Sequence, residues 1–308
     1  MKFFICSFAL LLSIAAFSQE KIKIKFGDIS PKDFETKLYD IDSAADAVVI
    51  ADIGSSNVEG NTKGWFSLVY KRFKRIHILN KNGYDAANIS IFTYSEWDDE
   101  TRIEKIKAVT YNLENGKVSE SKLDTKSGIF KDKIDKNRSI TKFTLPNIKE
   151  GSVVEIEYII RSDYPEDMRS WEFQSQYPHL WSEYNAAIPD FLGYVFLTQG
   201  YRKYDIADRT SSKESYRIID SRGTGASDVY ELNSGVSNYR WVSKNVPALK
   251  EESYTSTIDN HISKIEFQFT EYRYPLTYKR MAGTWKALLK NTLMQITLVN
   301  RCIRITDG

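Results

Sequence analysis

The residues best suited to acid–base chemistry in this 308-residue chain are two glutamates two positions apart, Glu155 and Glu157. Alternate residues of a β-strand point to the same face, so the two carboxyl groups would lie about 7 Å apart, a separation compatible with a general acid and a general base. Their neighbours Val154, Ile156 and Tyr158 form a regular apolar alternation. This pattern is typical of a strand with one face in solvent, so we expect both glutamates to be exposed rather than catalytic.

Aromatic side chains offer a second kind of chemistry, because an exposed ring can stack on a sugar or a peptide. Trp171, Tyr177 and Trp181 lie close together in the sequence, and we name them as candidate ligand-binding residues. The alternative is that the two tryptophans pack over the end of the fold. A groove of exposed rings would favour binding, whereas a buried pair would favour a structural role.

The sequence shows no recognisable arrangement of residues for metal binding or for nucleophilic catalysis. The histidines His77, His179 and His261 are far apart, and none has a second ligand at metal spacing. Asp40 and Asp42 lack the further ligands and the glycine of a calcium loop, so we expect them to form a turn. A serine triad stays open, because serines and aspartates are plentiful and none stands out. We therefore predict no catalytic residue, no cofactor and no metal site.

Charge is balanced, with 43 basic and 41 acidic residues and a formal net charge of +2. No basic excess is present to neutralise phosphates, which argues against nucleic acid as an obligatory partner. One local basic run, Lys71, Arg72, Lys74 and Arg75, could contact an anionic surface. We expect instead that these four side chains are solvated at a projecting strand end.

The first 18 residues have the pattern of a secretory signal peptide cleaved near Ser18. Lys2 supplies the positive region, and the apolar run that follows is too short to span a membrane. We therefore expect export to the periplasm or beyond, with no membrane span. The mature chain keeps one cysteine, Cys302, which excludes an internal disulfide framework.

The elements that must position these residues are almost all strands. Short alternating runs recur at intervals of about ten residues and are separated by glycine and asparagine turns, of which Asn115-Gly116 is the strongest hairpin signal. This spacing predicts a mainly β fold, an antiparallel sandwich with few short helices. The predicted strands cover residues 21–26, 47–53, 65–79, 88–94, 102–112, 117–123, 129–135, 139–145, 151–161, 193–200, 230–232, 239–242 and 262–269.

Three other segments are predicted to be less regular. Gly54 to Gly64 is expected to form a loop, and Tyr201 to Gly225 is polar with a hairpin around Ser211-Ser212. Ser30, followed by Pro31, has the pattern of a helix start.

Several stretches resemble the DUF3857 domain of secreted bacterial proteins. They include LPNIKEGSVVEIEY, WEFQSQYP and SEYNAAIPDF, joined by RIHILNKNGYDAANISI, VTYNLENGKVSESKL and NVPALKEESY. The resemblance covers most of residues 28–285 and implies an Ig-like β-domain placed directly before a cysteine-protease-like transglutaminase domain. The Cys-His-Asp triad of that second domain follows the point where this sequence stops, and Cys302 does not match its surroundings. No catalytic residue therefore carries over.

The resemblance also implies a division of the chain. We expect a signal peptide over 1–18, a DUF3857-like sandwich over 19–250, a connecting segment over 251–283 and a truncated helical start of the transglutaminase-like domain over 284–308. The last stretch, TLMQITLVNRCIRITDG, departs from the family pattern in a way that a frameshift would explain. We expect residues 284–308 to be the least ordered part of the mature chain, because their apolar helical stripe would lack its core.

These observations lead to one functional hypothesis and two rivals. The first is a non-catalytic exported β-domain that positions or regulates an adjacent transglutaminase-like domain, normally on the same chain. The second is a carbohydrate- or peptide-binding module that acts through Trp171 and Trp181. A free-standing hydrolase is the third.

Overall fold

The computed structural model describes residues 20–221, 226–250, 257–274 and 277–280. The predicted signal peptide, the predicted helix after Thr284 and Cys302 lie outside these residues. In the described part, three short 3₁₀ helices accompany the strands, at Pro31–Phe34, Lys81–Ala87 and Ile258–Asn260. The strands are β1 (Ala47–Gly60), β2 (Phe66–Ile78), β3 (Asn88–Glu96), β4 (Asp99–Glu114), β5 (Lys117–Lys122), β6 (Ile129–Lys133), β7 (Arg138–Thr144), β8 (Val153–Ser162), β9 (Trp171–Glu172), β10 (His179–Pro189), β11 (Leu192–Gln199), β12 (Ile206–Asp220), β13 (Asp228–Val246), β14 (Lys264–Tyr274) and β15 (Thr277–Arg280).

The strands form two sheets, so the predicted mainly β class is confirmed. The large sheet has the order β12-β13-β10-β1-β2-β8-β4-β3-β7-β6, with β5 paired to β4, and the small sheet joins β11, β14 and β15, with β9 paired to β14. The β1–β10 pair is parallel, whereas the other described pairs are antiparallel, and the large sheet is therefore mixed. No helix among the described residues is long and apolar enough to cross a membrane.

The hydrophobic core lies on one face of the large sheet, which we call the inner face. Ile156 and Ile160 of β8 and Leu68 of β2 point to this face and are buried, as their alternation predicts. The small sheet packs over it, with Phe267 of β14 5.5 Å from Tyr184 of β10 between ring centroids. At the other end of the large sheet, Ile91 of β3 and Phe143 of β7 belong to the same core cluster.

The opposite face, the outer face, is crossed by the N-terminal segment 20–28, which is extended but belongs to no strand. The prediction of an edge strand over residues 21–26 is therefore wrong. The alternation that prompted it has another cause: Ile22, Ile24 and Phe26 are half-buried while the intervening lysines are exposed. A segment that lies across a sheet needs the same period of two as a strand within one. We call residues 20–28 the strap.

Strands are also longer than the sequence predicted. Residues 54–60, expected to be a loop, continue β1, and no hairpin interrupts β12 at Ser211-Ser212. The register of the β1–β2 pair shifts between Val49 and Ala51, which places a bulge in β1. Residues 264–274, within the predicted connecting segment, form β14 between β11 and β15. Residues 54–60 and the middle of β12 lack a clear alternation of apolar and polar residues, and pairing with neighbouring strands is what holds them in the β conformation.

Two turn predictions are confirmed. Asn115 and Gly116 have φ values of 51° and 76° and join β4 to β5, as a two-residue hairpin turn of this type requires. Around Asp42, the amide of Asp42 donates to the carbonyl of Tyr39 at 3.1 Å, and that of Ala44 donates to Asp42 Oδ1 at 3.0 Å.

Candidate functional site

A buried charge cluster occupies the inner face where β1 meets β2. Asp52 is fully buried and receives two hydrogen bonds from Arg72, Nε to Oδ1 at 2.8 Å and Nη2 to Oδ2 at 2.6 Å. Lys74 Nζ lies 3.5 Å from Asp52 Oδ2. Burial alone would raise the pKa of Asp52, but the charges of Arg72 and Lys74 outweigh it and lower the pKa to about 2. Two cations thus share one carboxylate.

The prediction that the basic run of β2 is a solvated strand end is therefore wrong. Arg72 and Lys74 point to the inner face and pair with Asp52, whereas Arg75 points to the outer face and pairs with Glu155. Within the run, Lys71 is the one residue classed as exposed. The sequence did contain a signal: Arg72 and Lys74 interrupt the apolar face of β2, and Asp52 interrupts the apolar run of β1.

Arg72 lines a cleft of about 710 Å³, which we call the inner cleft. The floor is the inner face, with Tyr70, Arg72 and Tyr158, and one side is β3 from Ser90 to Tyr94. The segment 167–172, with Arg169, and residues 266–267 of the small sheet complete it. The size lies within the range of pockets for small ligands, roughly 300–1,000 Å³.

Trp171 lies at the edge of the inner cleft but offers no free ring face. Its side chain is 1% exposed, stacks on Tyr184 at 5.3 Å between centroids, and has the Arg72 guanidinium 4.8 Å above it. Its Nε1 donates to Ser182 Oγ at 3.1 Å. Gly54 of β1 completes the enclosure, since a Cβ built there would lie 2.3 Å from Trp171. The indole therefore supports Arg72 rather than a ligand.

Trp181 and Tyr177 lie elsewhere, so the fold does not bring the three candidate aromatics together. On β10, Trp181 alternates with Ser182 and thus faces the outer side, opposite to the face that Trp171 contacts. It is 6% exposed, donates from Nε1 to Glu183 Oε2 at 2.9 Å, and has Lys244 Nζ 5.4 Å above its ring. Both tryptophans are buried, which is the outcome we associated with a structural role.

Tyr177 is half-buried and lines a second cleft, of about 790 Å³, together with Lys74 and Ser175. Here Ser175 Oγ lies 3.0 Å from Nε2 of the buried His179, which brings a serine hydroxyl and an imidazole together. Burial, together with the charge of Lys74, lowers the pKa of His179 to about 3, so the imidazole is a weak base at neutral pH. Its Nδ1 has no partner in the described part of the chain, and no carboxylate orients the ring. The arrangement lacks what acyl transfer requires.

The prediction for the two glutamates of β8 is wrong for Glu155. This carboxylate is fully buried, accepts both Nε and Nη2 of Arg75 at Oε1, and is covered by the strap. Glu157 is half-exposed and pairs with Lys105 at 2.8 Å. With Glu155 held by Arg75, the two do not form an acid–base pair. No group of three or more metal-ligating side chains occurs among the described residues.

No known protein-family model matches the chain, and a comparison with curated proteins gives no match. Among solved structures, the chain is similar to a protein described as a "putative protease" from Parabacteroides distasonis, with a TM-score of 0.50 and 10% sequence identity. That match covers 73% of this chain and 41% of the other protein. At this identity it shows a shared β-rich fold and nothing more.

A second similarity is to a variant of the M1 zinc metallopeptidase from Deinococcus radiodurans, at 8% identity and a TM-score of 0.26. It covers 69% of this chain and 46% of that enzyme. A TM-score this low supports no conclusion about this chain. The chain thus spans less than half the length of the solved proteins to which it is similar.

Proposed function

We propose that this chain is a non-catalytic, exported β-domain that positions or regulates a neighbouring transglutaminase-like catalytic domain. The observation that carries the proposal is how much of the similar solved structure this fold covers. The match spans 41% of a longer protein described as a putative protease, so in that protein the β-rich fold is joined to further residues. The sequence resemblance to DUF3857 domains supplies the identity of the neighbour.

The chemistry of the described residues supports a non-catalytic role. Asp52 and His179, two titratable groups with strongly shifted pKa values, are buried in the fold rather than presented to a substrate. Arg75, Glu155 and Arg240 are likewise committed to ion pairs on the outer face. Such groups order the sheet, and a rigid sheet is suited to hold a neighbouring domain in place.

The test adds the purified chain in trans to a transglutaminase-like domain taken from a protein that carries both domains. We expect saturable binding and a change in the rate of amide transfer by the catalytic domain. A chain unfolded by heat and cooled serves as the control for non-specific protein effects. Absence of binding together with an unchanged rate would contradict the proposal.

A second assay addresses catalysis directly. We expect the chain alone to leave a peptide library uncleaved. Turnover by the chain would contradict the proposal, and its loss in Ser175→Ala or Cys302→Ala would identify the residue responsible.

A further inference from the structure

We propose that the inner cleft is a binding site for a carboxylate group carried by a peptide, with Arg169 and Arg72 as its cationic contacts. The proposal concerns a ligand of this domain itself and does not depend on the neighbouring catalytic domain. It rests on unpaired polar groups, on the distribution of charge and on the shape of the cleft.

Two tyrosine hydroxyl groups in the cleft have no hydrogen-bond partner among the described residues. Tyr70 is 4% exposed and Tyr158 is 9% exposed, and both line the cleft with rings 6.1 Å apart between centroids. Neither hydroxyl makes a hydrogen bond to any described residue, in contrast to Tyr184, whose hydroxyl lies 2.7 Å from Ser56 Oγ. Both hydroxyls are therefore available to donate to an acceptor that enters the cleft.

Two arginine side chains of the cleft have N–H groups that no described residue accepts. Arg72 and Lys74 share the carboxylate of Asp52, and Glu172 on the cleft wall also acts on Lys74. Arg72 uses Nε and Nη2 for Asp52, and no described residue accepts from its Nη1. Arg169 adds a second charge: its guanidinium lies 5.7 Å from the Tyr70 ring centroid, and no described carboxylate pairs with it.

The two guanidinium groups can act on one ligand. Tyr70 and Arg72 are two apart on β2, so their side chains project from the same face about 7 Å apart. Arg169 lies over the Tyr70 ring, and Arg72, which lies over Trp171, lines the same cleft as Tyr70 and Tyr158. Arg169 Nη2 donates to the carbonyl of Phe92 at 2.7 Å, which holds the side chain in this position and leaves its other N–H groups for a ligand. Charge-assisted hydrogen bonds of this kind are about twice as strong as neutral ones.

The remaining charges decide what kind of anion fits. Asp167 and Glu172 are exposed on the cleft wall, Glu266 pairs with Lys264, and Arg138 pairs with Asp135. Exposed carboxylates at the mouth repel a polyanion, so a single carboxylate is favoured over a polyphosphate or a nucleic acid. The volume of about 710 Å³ exceeds what one carboxyl group needs. The exposed ring of Phe92 and the half-buried rings of Tyr94 and Phe267 provide apolar contact for neighbouring residues of a peptide.

The test follows the side-chain Nε–Hε signals of Arg72 and Arg169 by NMR while peptides are added to the whole chain. The probes are acetyl-Ala-Glu-Ala-amide, its neutral counterpart with glutamine, and acetyl-Ala-Ala-Ala with a free terminal carboxylate. We expect at least one carboxylate peptide to shift the two signals saturably and the glutamine peptide to bind at least about tenfold more weakly. Comparison of the two carboxylate peptides separates a side-chain carboxylate from a chain terminus.

Variants then locate the site. Arg169→Gln is expected to weaken binding by about tenfold and Tyr70→Phe by about threefold, whereas Arg138→Gln, at the exposed rim, changes it less than about twofold. Arg169 is half-buried at the surface, so amide dispersion and the melting temperature of its variant should match those of the parent chain. Equal binding of the glutamate and glutamine peptides would overturn the proposal. So would the absence of saturable shifts, or an equal effect of Arg138→Gln and Arg169→Gln.

Discussion

Arg75 of β2 and Glu155 of β8 form a buried ion pair beneath the strap, with Arg75 Nη2 2.6 Å and Nε 2.9 Å from Glu155 Oε1. The second carboxylate oxygen, Oε2, accepts from the amide of Gly27 at 2.7 Å and from the Tyr111 hydroxyl at 3.1 Å. Arg75 Nη2 also donates to the carbonyls of Lys25 and Asp28, both at 3.0 Å. The pair thus fastens the strap to the outer face of the large sheet.

Removal of one partner of the Arg75–Glu155 pair should lower the stability of the fold. We expect Glu155→Gln to lower the free energy of unfolding by about 3 kcal/mol, because it leaves the buried Arg75 charge with only the more distant, partly exposed carboxylate of Asp33, 3.8 Å away. Denaturant unfolding measures the loss, and hydrogen exchange should show faster exchange of the Gly27 amide. Glu157→Gln, two residues along the same face but half-exposed, should cost less than about 1 kcal/mol. Equal losses for the two variants would contradict this account of the strap.

The buried imidazole of His179 should make the fold sensitive to mild acid. Burial and Lys74 lower its pKa to about 3, below the ordinary value of 6.5, so between these values the unfolded chain binds a proton that the folded chain does not. Stability therefore falls as the pH falls through this window, by about 3 kcal/mol between pH 7 and pH 4 from this group.

The check compares variants across that range. We expect His179→Gln to reduce the loss of unfolding free energy between pH 7 and pH 4, whereas His261→Gln, at an exposed position, should leave the slope unchanged. Asp52, whose pKa is lowered to about 2, contributes stability that is full above its ordinary pKa of 3.8 and is lost as the pH falls towards 2. A profile for His179→Gln that parallels the parent down to pH 4 would count against the assignment.

The contact between Gly54 and Trp171 allows a test of packing on the inner face. A methyl group at position 54 would lie 2.3 Å from the indole, so Gly54→Ala should destabilise the fold by about 1–3 kcal/mol. In a Trp171→Phe background the smaller ring leaves room, and the same substitution should cost less. Thermal unfolding of the two single variants and the double variant measures the coupling. Additive effects would show that the two residues do not meet.

The β4–β5 turn depends on its glycine. Gly116 has a φ of 76°, which a side chain disfavours, so Gly116→Ala should lower the free energy of unfolding by about 1 kcal/mol although nothing lies within 4 Å of the added methyl group. Lys117→Ala, at the exposed start of β5, is the matched control and should have little effect. Chemical denaturation of both variants distinguishes strain from loss of contacts.

The sequence by itself determined the fold class, because strand periodicity and turn residues are local properties. The alternation of Val154, Ile156 and Tyr158 predicts which side of β8 is apolar, and Asn115-Gly116 predicts where the chain reverses. Both follow from the geometry of a few consecutive residues, whatever surrounds them.

Only the tertiary structure decided what covers each face. Glu155 and Glu157 have the same local pattern, yet one is buried because the strap crosses the sheet above it, a contact between residues 128 positions apart. Lys71, Arg72, Lys74 and Arg75 form one basic run in the sequence, but the strand directs them to two faces and to two different carboxylates. From the sequence, Trp171 was a candidate for stacking on a ligand. In the folded structure, Gly54, Tyr184 and Arg72 enclose its ring. Burial and pairing depend on contacts between distant segments, and such contacts leave no periodic trace in a single sequence.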